Sequence, residues 1–228
     1  MCGRFAHLYK WLDVWAFAAP FGQDIADPPV RYNVPPKASV PLLRAIDGTP
    51  EAAMLQWWLV PHWSKTPDTR YTTFNAKSED AASKPAFREP FRKRRCVIPA
   101  SGFFEWQRLP GGRKQPKYIY RADGDVLYFA GLWDRWVGPD GDETLDSCTV
   151  LTTDSNAEMR EVHSRMPCIL ERSEVEAWVL DPSSEPDSPK RLLRPAADGV
   201  LAMHDVDPAV GNVRHDGPQL IESGHGLF

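Results

Sequence analysis

The sequence predicts an α+β protein in which a curled, largely antiparallel β-sheet, open-barrel-like in shape, is flanked by short helices. Short runs of β-branched and aromatic residues recur along most of the chain, and Asp-Gly and Pro-Gly turn signals separate them. At 228 residues, 42% of them hydrophobic and 25% charged, the chain has the size and composition of one ordinary globular core. We therefore expect a single domain over residues 1–228.

Helical signals occur at two places. Apolar residues recur at helical spacing over residues 8–19, and Pro20 ends that pattern, so an amphipathic helix is predicted close to the N-terminus. Much later, Ser173 and Glu176 have the spacing of a capping box, which predicts a short helix ending at Leu180.

Strands are predicted wherever apolar or alternating runs lie between turn signals. Residues 61–75 and 181–189 contain no such run and are predicted to be loops, and a loop as long as the first is more often functional than idle. The predicted strands cover residues 39–46, 52–60, 95–100, 103–108, 117–122, 126–133, 147–153 and 200–206.

Composition excludes several classes of protein. The four cysteines are widely spaced and form no CxxC pair, so neither a zinc ribbon nor a disulfide scaffold is expected, and no metal or cofactor is predicted. The longest apolar stretch, residues 52–60, is too short to span a bilayer, and the first residues do not resemble a signal peptide. We expect a cytosolic protein with reduced thiols.

The net charge of −4 gives no general attraction to nucleic acid, so any DNA binding requires a local basic groove. Residues 84–95 are basic and end in Arg92-Lys93-Arg94-Arg95; the run is interpreted either as a solvated surface or as a phosphate-binding segment. Nine tryptophans favour a large core, although several of them can also line a groove.

Cys2 is the most reactive candidate. Removal of Met1 would leave a cysteine at the terminus, where an α-amine and a thiol stand on adjacent carbons. Their reference pKa values, about 8 and about 8.5, leave both partly deprotonated near neutral pH. Such a 1,2-aminothiol captures an aldehyde first as a Schiff base and then as a thiazolidine ring. The alternative is a small residue without function near a frayed terminus.

Three further positions carry polar groups in suggestive surroundings. Glu105 lies in an aromatic run, and is either an exposed carboxylate on a sheet or a carboxyl in an apolar pocket with a raised pKa. His163 precedes Arg165 by two residues and is either structural or a proton donor beside a phosphate ligand. Asn75 precedes Lys77 in the same way, but asparagine is also a routine turn residue.

Considered together, these segments resemble the SRAP family, the SOS response-associated peptidase domain proteins that shield abasic sites in single-stranded DNA. The resemblance follows the order of the family over nearly the whole chain. The matching stretches are Met1-Cys2-Gly3-Arg4-Phe5, Arg31-Tyr32-Asn33-Val34-Pro35, Asn75-Ala76-Lys77-Ser78-Glu79, residues 95–106, His163-Ser164-Arg165-Met166-Pro167 and Val210-Gly211-Asn212-Val213.

The resemblance implies that Cys2, freed of Met1, forms a thiazolidine with the ring-opened sugar of an abasic site. It implies that Asn75 positions the terminus, that Glu105 shuttles protons, and that His163 assists sugar opening and crosslink reversal. For DNA binding it implies phosphate contacts from Arg4, Lys77 and Arg165, a backbone contact from Thr152 and base stacking by Trp63. Lys77 stands where the family commonly has arginine, which retains the charge but not the bidentate geometry.

The function predicted from the sequence is therefore covalent capture of abasic sites in single-stranded DNA, with a role in replication and the SOS response. One alternative is a cysteine peptidase, or an autopeptidase limited to its own N-terminus, with Cys2 as nucleophile and Glu105 or His163 as base. The other is a non-covalent reader of single-stranded or modified DNA. Lyase-like strand cleavage through the Schiff base is expected as a related activity. The expected partners are single-stranded DNA and replication-fork proteins. We expect a monomer in the cytoplasm that joins the nucleoid when bound to DNA.

Overall fold

The computed structural model describes residues 2–15, 27–68, 71–180 and 187–224, and every structural statement below concerns these residues. It confirms the predicted α+β class, with most of the chain in a curled, mainly antiparallel sheet. The strands are β1 Phe5–His7, β2 Arg31–Val34, β3 Ser39–Ile46, β4 Thr49–Trp57, β5 Asn75–Lys77, β6 Arg95–Ala100, β7 Gly102–Arg108, β8 Lys114–Arg121, β9 Leu127–Val137, β10 Thr144–Asp154, β11 Arg165–Pro167, β12 Ile169–Leu170 and β13 Leu201–Asp205.

The helices are short and lie at the edges of this sheet. The α-helices are α1 Trp11–Trp15, α2 Ser78–Ala81, α3 Arg88–Lys93, α4 Ala157–Arg160, α5 Val175–Leu180 and α6 Asp187–Lys190. Single 3-10 turns occur at Pro110–Gly112, Arg172–Glu174, Pro208–Gly211 and Pro218–Ile221.

Five strands close into a barrel in the order β4-β3-β6-β9-β10, because β10 pairs with both β9 and β4. Every pairing in the ring is antiparallel except β4 with β10, which is parallel. The side strands β5 and β11 both extend the ring from β10, and β12 pairs with β9. The predicted open barrel is thus closed at its centre.

The two faces of the barrel wall are buried in different clusters. Side chains such as Leu42, Ile98 and Phe129 fill one cluster, and their neighbours on the opposite face pack with the helix residues Phe91 and Trp178 in the other. A ring of five strands has room inside only for side chains. The first cluster therefore fills the barrel, and the helices cover its outside.

A second sheet, in the order β13-β8-β7-β1-β2, packs against the barrel. The rings of Phe5 and Phe103 both meet Phe129, with centroids 6.1 and 5.9 Å apart, and Phe5 meets Trp57 edge-on at 4.9 Å. Because β1 lies between β2 and β7, the first residues of the chain are held against the barrel core.

The predicted strands at residues 39–46 and 95–100 have the predicted bounds, and the other six overlap observed strands with shifted ends. The predicted capping box at Ser173 and Glu176 is wrong. Glu171 and Glu174 form that box instead, two residues earlier, and helix α5 reaches Leu180, where the described residues stop.

Two other predictions concern segments that the structure describes in part. The predicted helix over residues 8–19 is wrong over residues 8–10, which precede α1, and its predicted end lies outside the described residues. The predicted loop at 181–189 is wrong over its last residues, which belong to α6, and its first six residues lie outside the described chain.

The basic run at residues 84–95 is partly buried. Arg92 and Lys93 are exposed, as a solvated surface requires. Arg95 instead is 5% exposed and donates from Nε to the carbonyl oxygen of Trp178 at 2.6 Å, so it fixes helix α5 to the barrel.

Gly102 begins β7 and lies against the Tyr118 ring of β8. A Cβ atom built there would lie 2.4 Å from the Tyr118 ring, which is packed between Phe104 and Tyr120. We predict that Gly102→Ala lowers the free energy of unfolding by about 1–3 kcal/mol because the ring cannot move without repacking. Denaturant titration measures this, with Gly211→Ala, which meets open space, as the control. Equal stability of the two variants would contradict the prediction.

Candidate active site

Cys2 is fully buried at the junction of the two sheets. It lies in the cluster that fills the barrel, together with Phe5, Met159 and Val162. The thiol lies 3.8 Å from the carbonyl oxygen of Arg4, to which it donates. Burial raises the pKa of this thiol far above its ordinary value, and the nearby charge of Glu105 raises it further. The thiol is therefore neutral at physiological pH and needs a base to become a nucleophile.

Glu105 lies on β7, the strand that pairs with β1 next to the N-terminus. The pairing of Phe5 with Phe103 and the hydrogen bond from the Phe104 amide to the Arg4 carbonyl oxygen put Glu105 across from the first residues of the chain, on the same face of the sheet as Phe103. Glu105 is only 4% exposed. The sequence was compatible with either an exposed or a buried Glu105. The structure places Glu105 in the interior, beside Cys2.

Asn75 connects the terminus to the barrel. It begins β5, which pairs in parallel with β10 of the ring, and its Nδ2 donates to the carbonyl oxygen of Cys2 at 2.7 Å. The side chain is buried, and its Oδ1 accepts no hydrogen bond from the described residues. The amide thus fixes Cys2 and retains one buried acceptor beside it.

Three neighbouring strands, β5, β10 and β11, carry Lys77, Thr152 and Arg165 in that order. Lys77 is exposed and lies opposite Thr152 in register, and Thr152 in turn lies opposite Pro167 of β11. Thr152 is fully buried, and the backbone contact to DNA that the resemblance implies for it stays a prediction. Its carbonyl oxygen accepts a hydrogen bond from Arg165.

Arg4 is engaged within the protein. Its Nη1 donates to Oδ1 of Asn33 and to the carbonyl oxygen of Val210, both at 2.8 Å. Asn33 in turn donates from Nδ2 to the carbonyl oxygens of Val210, Asn212 and His215. The predicted phosphate ligand is therefore also a tie between the N-terminal strand and the C-terminal segment.

The sequence interpretation gave Asn33 no role. The available signal was that two matching stretches, residues 31–35 and 210–213, had no function assigned to them. A buried asparagine that binds three carbonyl oxygens joins those stretches, and explains why they occur together.

His163 lies between α4 and β11 and is half-buried. Its Nδ1 lies 3.0 Å from the backbone amide nitrogen and 3.2 Å from the carbonyl oxygen of Arg165, so this ring nitrogen faces the backbone of that residue. Gln107, two residues beyond Glu105 on β7, donates to the carbonyl oxygen of Glu161 at 3.2 Å. That bond holds the His163 segment beside the strand that carries Glu105.

Trp63 borders a groove of about 870 Å³. The indole is 50% exposed, and its Nε1 donates to the carbonyl oxygen of Pro85 at 3.3 Å. Tyr71 adds a second exposed ring, and Thr73 leads along the chain to Asn75. The groove therefore lies along the segment that enters the site.

Neither a metal site nor a membrane span is found in the described parts of the chain. No three acidic, cysteine or histidine side chains there are grouped so as to hold an ion. No helix there combines the length and apolar character needed to cross a bilayer.

The family model described as SOS response associated peptidase (SRAP) matches residues 1–213. This chain belongs to the SRAP family. The matched segment contains Cys2, Asn75 and Glu105, so the site described above lies entirely within it.

Named relatives of this SRAP chain come from bacteria and vertebrates. It is 33% identical over 227 residues to the abasic site processing protein YoqW of Bacillus subtilis, covering 98% of this chain and all of that protein. It is 34% identical over 222 residues to the abasic site processing protein HMCES of Gallus gallus, covering 83% of this chain and 65% of that one.

A solved structure supports the same fold. The crystal structure of a protein from Bacteroides thetaiotaomicron matches with a TM-score of 0.85 at 28% identity, covering 98% of this SRAP chain and all of the other.

The proximity of Glu105 to the Cys2 thiol is open to test. We predict that Glu105→Gln lowers the pKa of the Cys2 thiol, because removing a nearby negative charge stabilises the thiolate. Alkylation of the N-terminal peptide, followed by mass spectrometry between pH 7 and 9, should be faster in this variant than in wild type. Glu143→Gln, which changes an exposed carboxylate, is the control. An unchanged rate in Glu105→Gln would show that the two groups do not interact.

Proposed function

We propose that this SRAP protein captures abasic sites in single-stranded DNA by forming a thiazolidine between Cys2 and the sugar aldehyde. The observation that carries the proposal is the meeting of Cys2, Asn75 and Glu105 in one buried place at the N-terminus. The names of the relatives, which are abasic site processing proteins, support the choice of substrate.

The reaction requires no oxidant or cofactor. After removal of Met1, the α-amine of Cys2 attacks the aldehyde carbon of the ring-opened sugar, and loss of one water gives a Schiff base. The sulfur then adds to the imine carbon, and the thiol proton moves to nitrogen. Because burial keeps the thiol neutral, Glu105 is assigned the transfer of that proton from sulfur to nitrogen.

The other site residues are assigned to placing the DNA. Asn75 holds the Cys2 carbonyl and orients the terminus toward the sugar, which supplies proximity. His163 is assigned to opening of the sugar ring and to crosslink reversal. Lys77 and Arg165 are assigned to phosphates that flank the lesion, and Trp63 to a stacked base.

Two other reactions remain alternatives at the same residues. Elimination from the Schiff base before ring closure would cleave the strand, and attack by Cys2 on the Met1 peptide bond would make the protein an autopeptidase. A DNA reader without covalent chemistry is the third alternative. The role in replication and the SOS response belongs to the proposal and depends on which reaction occurs.

Intact-mass spectrometry tests the proposal directly. Wild-type protein mixed with a single-stranded oligonucleotide that carries one abasic site should gain the oligonucleotide mass less one water, on a chain that lacks Met1. Cys2→Ala should form no durable adduct, since the ring needs sulfur. Cys2→Ser retains the amine and should give a reducible imine with more strand cleavage. A fully trimmed wild-type protein that forms no adduct would contradict the proposal.

Asn75→Ala should slow crosslinking by about tenfold or more, because a misplaced nucleophile loses much of the proximity effect. The rate is followed by denaturing electrophoresis under single-turnover conditions. Asn212→Ala, which removes an exposed side chain whose Oδ1 accepts from the backbone amide of Arg214, is the matched control. If both variants crosslink at the wild-type rate, Asn75 does not orient the terminus.

A further inference from the structure

The guanidinium of Arg165 is surrounded by oxygen atoms of its own protein. Its Nη1 contacts Oε1 of Glu79 and Oδ1 of Asp154, each at 2.7 Å, and its Nη2 contacts Oε2 of Glu79 at 2.8 Å. The two bonds to Glu79 form a bidentate pair, the geometry in which a guanidinium also binds a phosphate. The carboxylates therefore occupy the donors that a DNA phosphate needs.

The partners differ in how firmly they are held. The Arg165 side chain is 13% exposed, is bound to the Thr152 carbonyl oxygen, and has a buried Nε with no hydrogen bond to the described residues. The side chains of Glu79 and Asp154 are 49% and 79% exposed. An exposed carboxylate keeps much of its hydration and turns into solvent at little cost, whereas the arginine is fixed in place.

We propose that Glu79 and Asp154 form a carboxylate latch on Arg165, which competes with a DNA phosphate for the same guanidinium. The inference rests on the proposed function, because it takes single-stranded DNA as the ligand. A phosphate displaces the latch, and the displaced carboxylates return to water. The latch keeps the non-covalent affinity for undamaged strands low, so that long residence on DNA depends on covalent capture by Cys2.

The charges of the latch agree with this competition. The hydrogen bond from Arg165 lowers the pKa of Glu79, and the same bond raises the pKa of Arg165. Both groups are therefore ionised at neutral pH, and an incoming phosphate must replace a full negative charge. Removing that charge from Glu79 should raise the affinity of the site for single-stranded DNA.

The test compares two adjacent substitutions that remove the same charge. Glu79→Gln weakens the latch, whereas Asp80→Asn changes a carboxylate that pairs with Lys84 at 2.7 Å. Binding is measured by fluorescence anisotropy with an intact single-stranded oligonucleotide over a series of salt concentrations. Glu79→Gln should bind about two- to fivefold more tightly than Asp80→Asn, with a salt slope steeper by up to about 0.7. Asp154→Asn should shift the affinity in the same direction.

A double-mutant cycle assigns the gain to Arg165. In an Arg165→Ala background the gain from Glu79→Gln should disappear, because the latch then has no cation to release. The proposal is overturned if Glu79→Gln binds no more tightly than Asp80→Asn, or if its gain persists without Arg165. Thermal unfolding checks that the variants fold. If Glu79→Gln does not fold, the binding affinity of Asp154→Asn, which changes a more exposed carboxylate, decides whether the latch competes with DNA.

The two proposals fail separately. Absence of an adduct on the abasic oligonucleotide would remove the crosslinking function, while the anisotropy series on intact DNA would still decide the latch. Conversely, a normal adduct with unchanged anisotropy in Glu79→Gln would remove only the latch.

Discussion

The hydrogen bond from Asn75 to the carbonyl oxygen of Cys2 is the contact on which the site depends. A chain terminus usually frays, because few contacts repay the conformational entropy of ordering it. Here β1 is paired on both sides, and Asn75 adds an anchor from a strand that extends the closed barrel. The terminus is thereby held at a fixed place relative to Glu105, although the two lie about a hundred residues apart in sequence.

Burial lowers the general reactivity of the Cys2 thiol. A neutral thiol inside the apolar cluster reacts slowly with passing electrophiles, since the thiolate is the nucleophile. In the proposed reaction, an aldehyde first forms an imine with the neighbouring amine and is then presented to the sulfur of the same residue, with Glu105 assigned to take the proton. In this reaction the proximity of sulfur and imine carbon offsets the loss of rate that follows from the raised pKa of the thiol.

Two of the three cations of the site are bound by groups of the protein itself, and the protein as a whole is acidic. Arg4 is bound to Asn33 and Val210, and Arg165 to Glu79 and Asp154, whereas Lys77 is exposed at the end of β5. Such an arrangement favours local contacts at the lesion over general attraction to a polyanion. It fits a protein whose hold on DNA comes from a covalent bond, as proposed above.

The sequence by itself determined the strand pattern, the α+β class and the identity of the reactive groups, because alternation, turn residues and an aminothiol are local properties. It did not determine that the ring closes, since the pairing of β4 with β10 joins residues about ninety positions apart. Nor did it determine that Glu105 is buried, that Thr152 is inside the sheet, or that Arg4 and Arg165 have partners within the protein. Those outcomes depend on which distant side chains share a face, and only tertiary packing decides that.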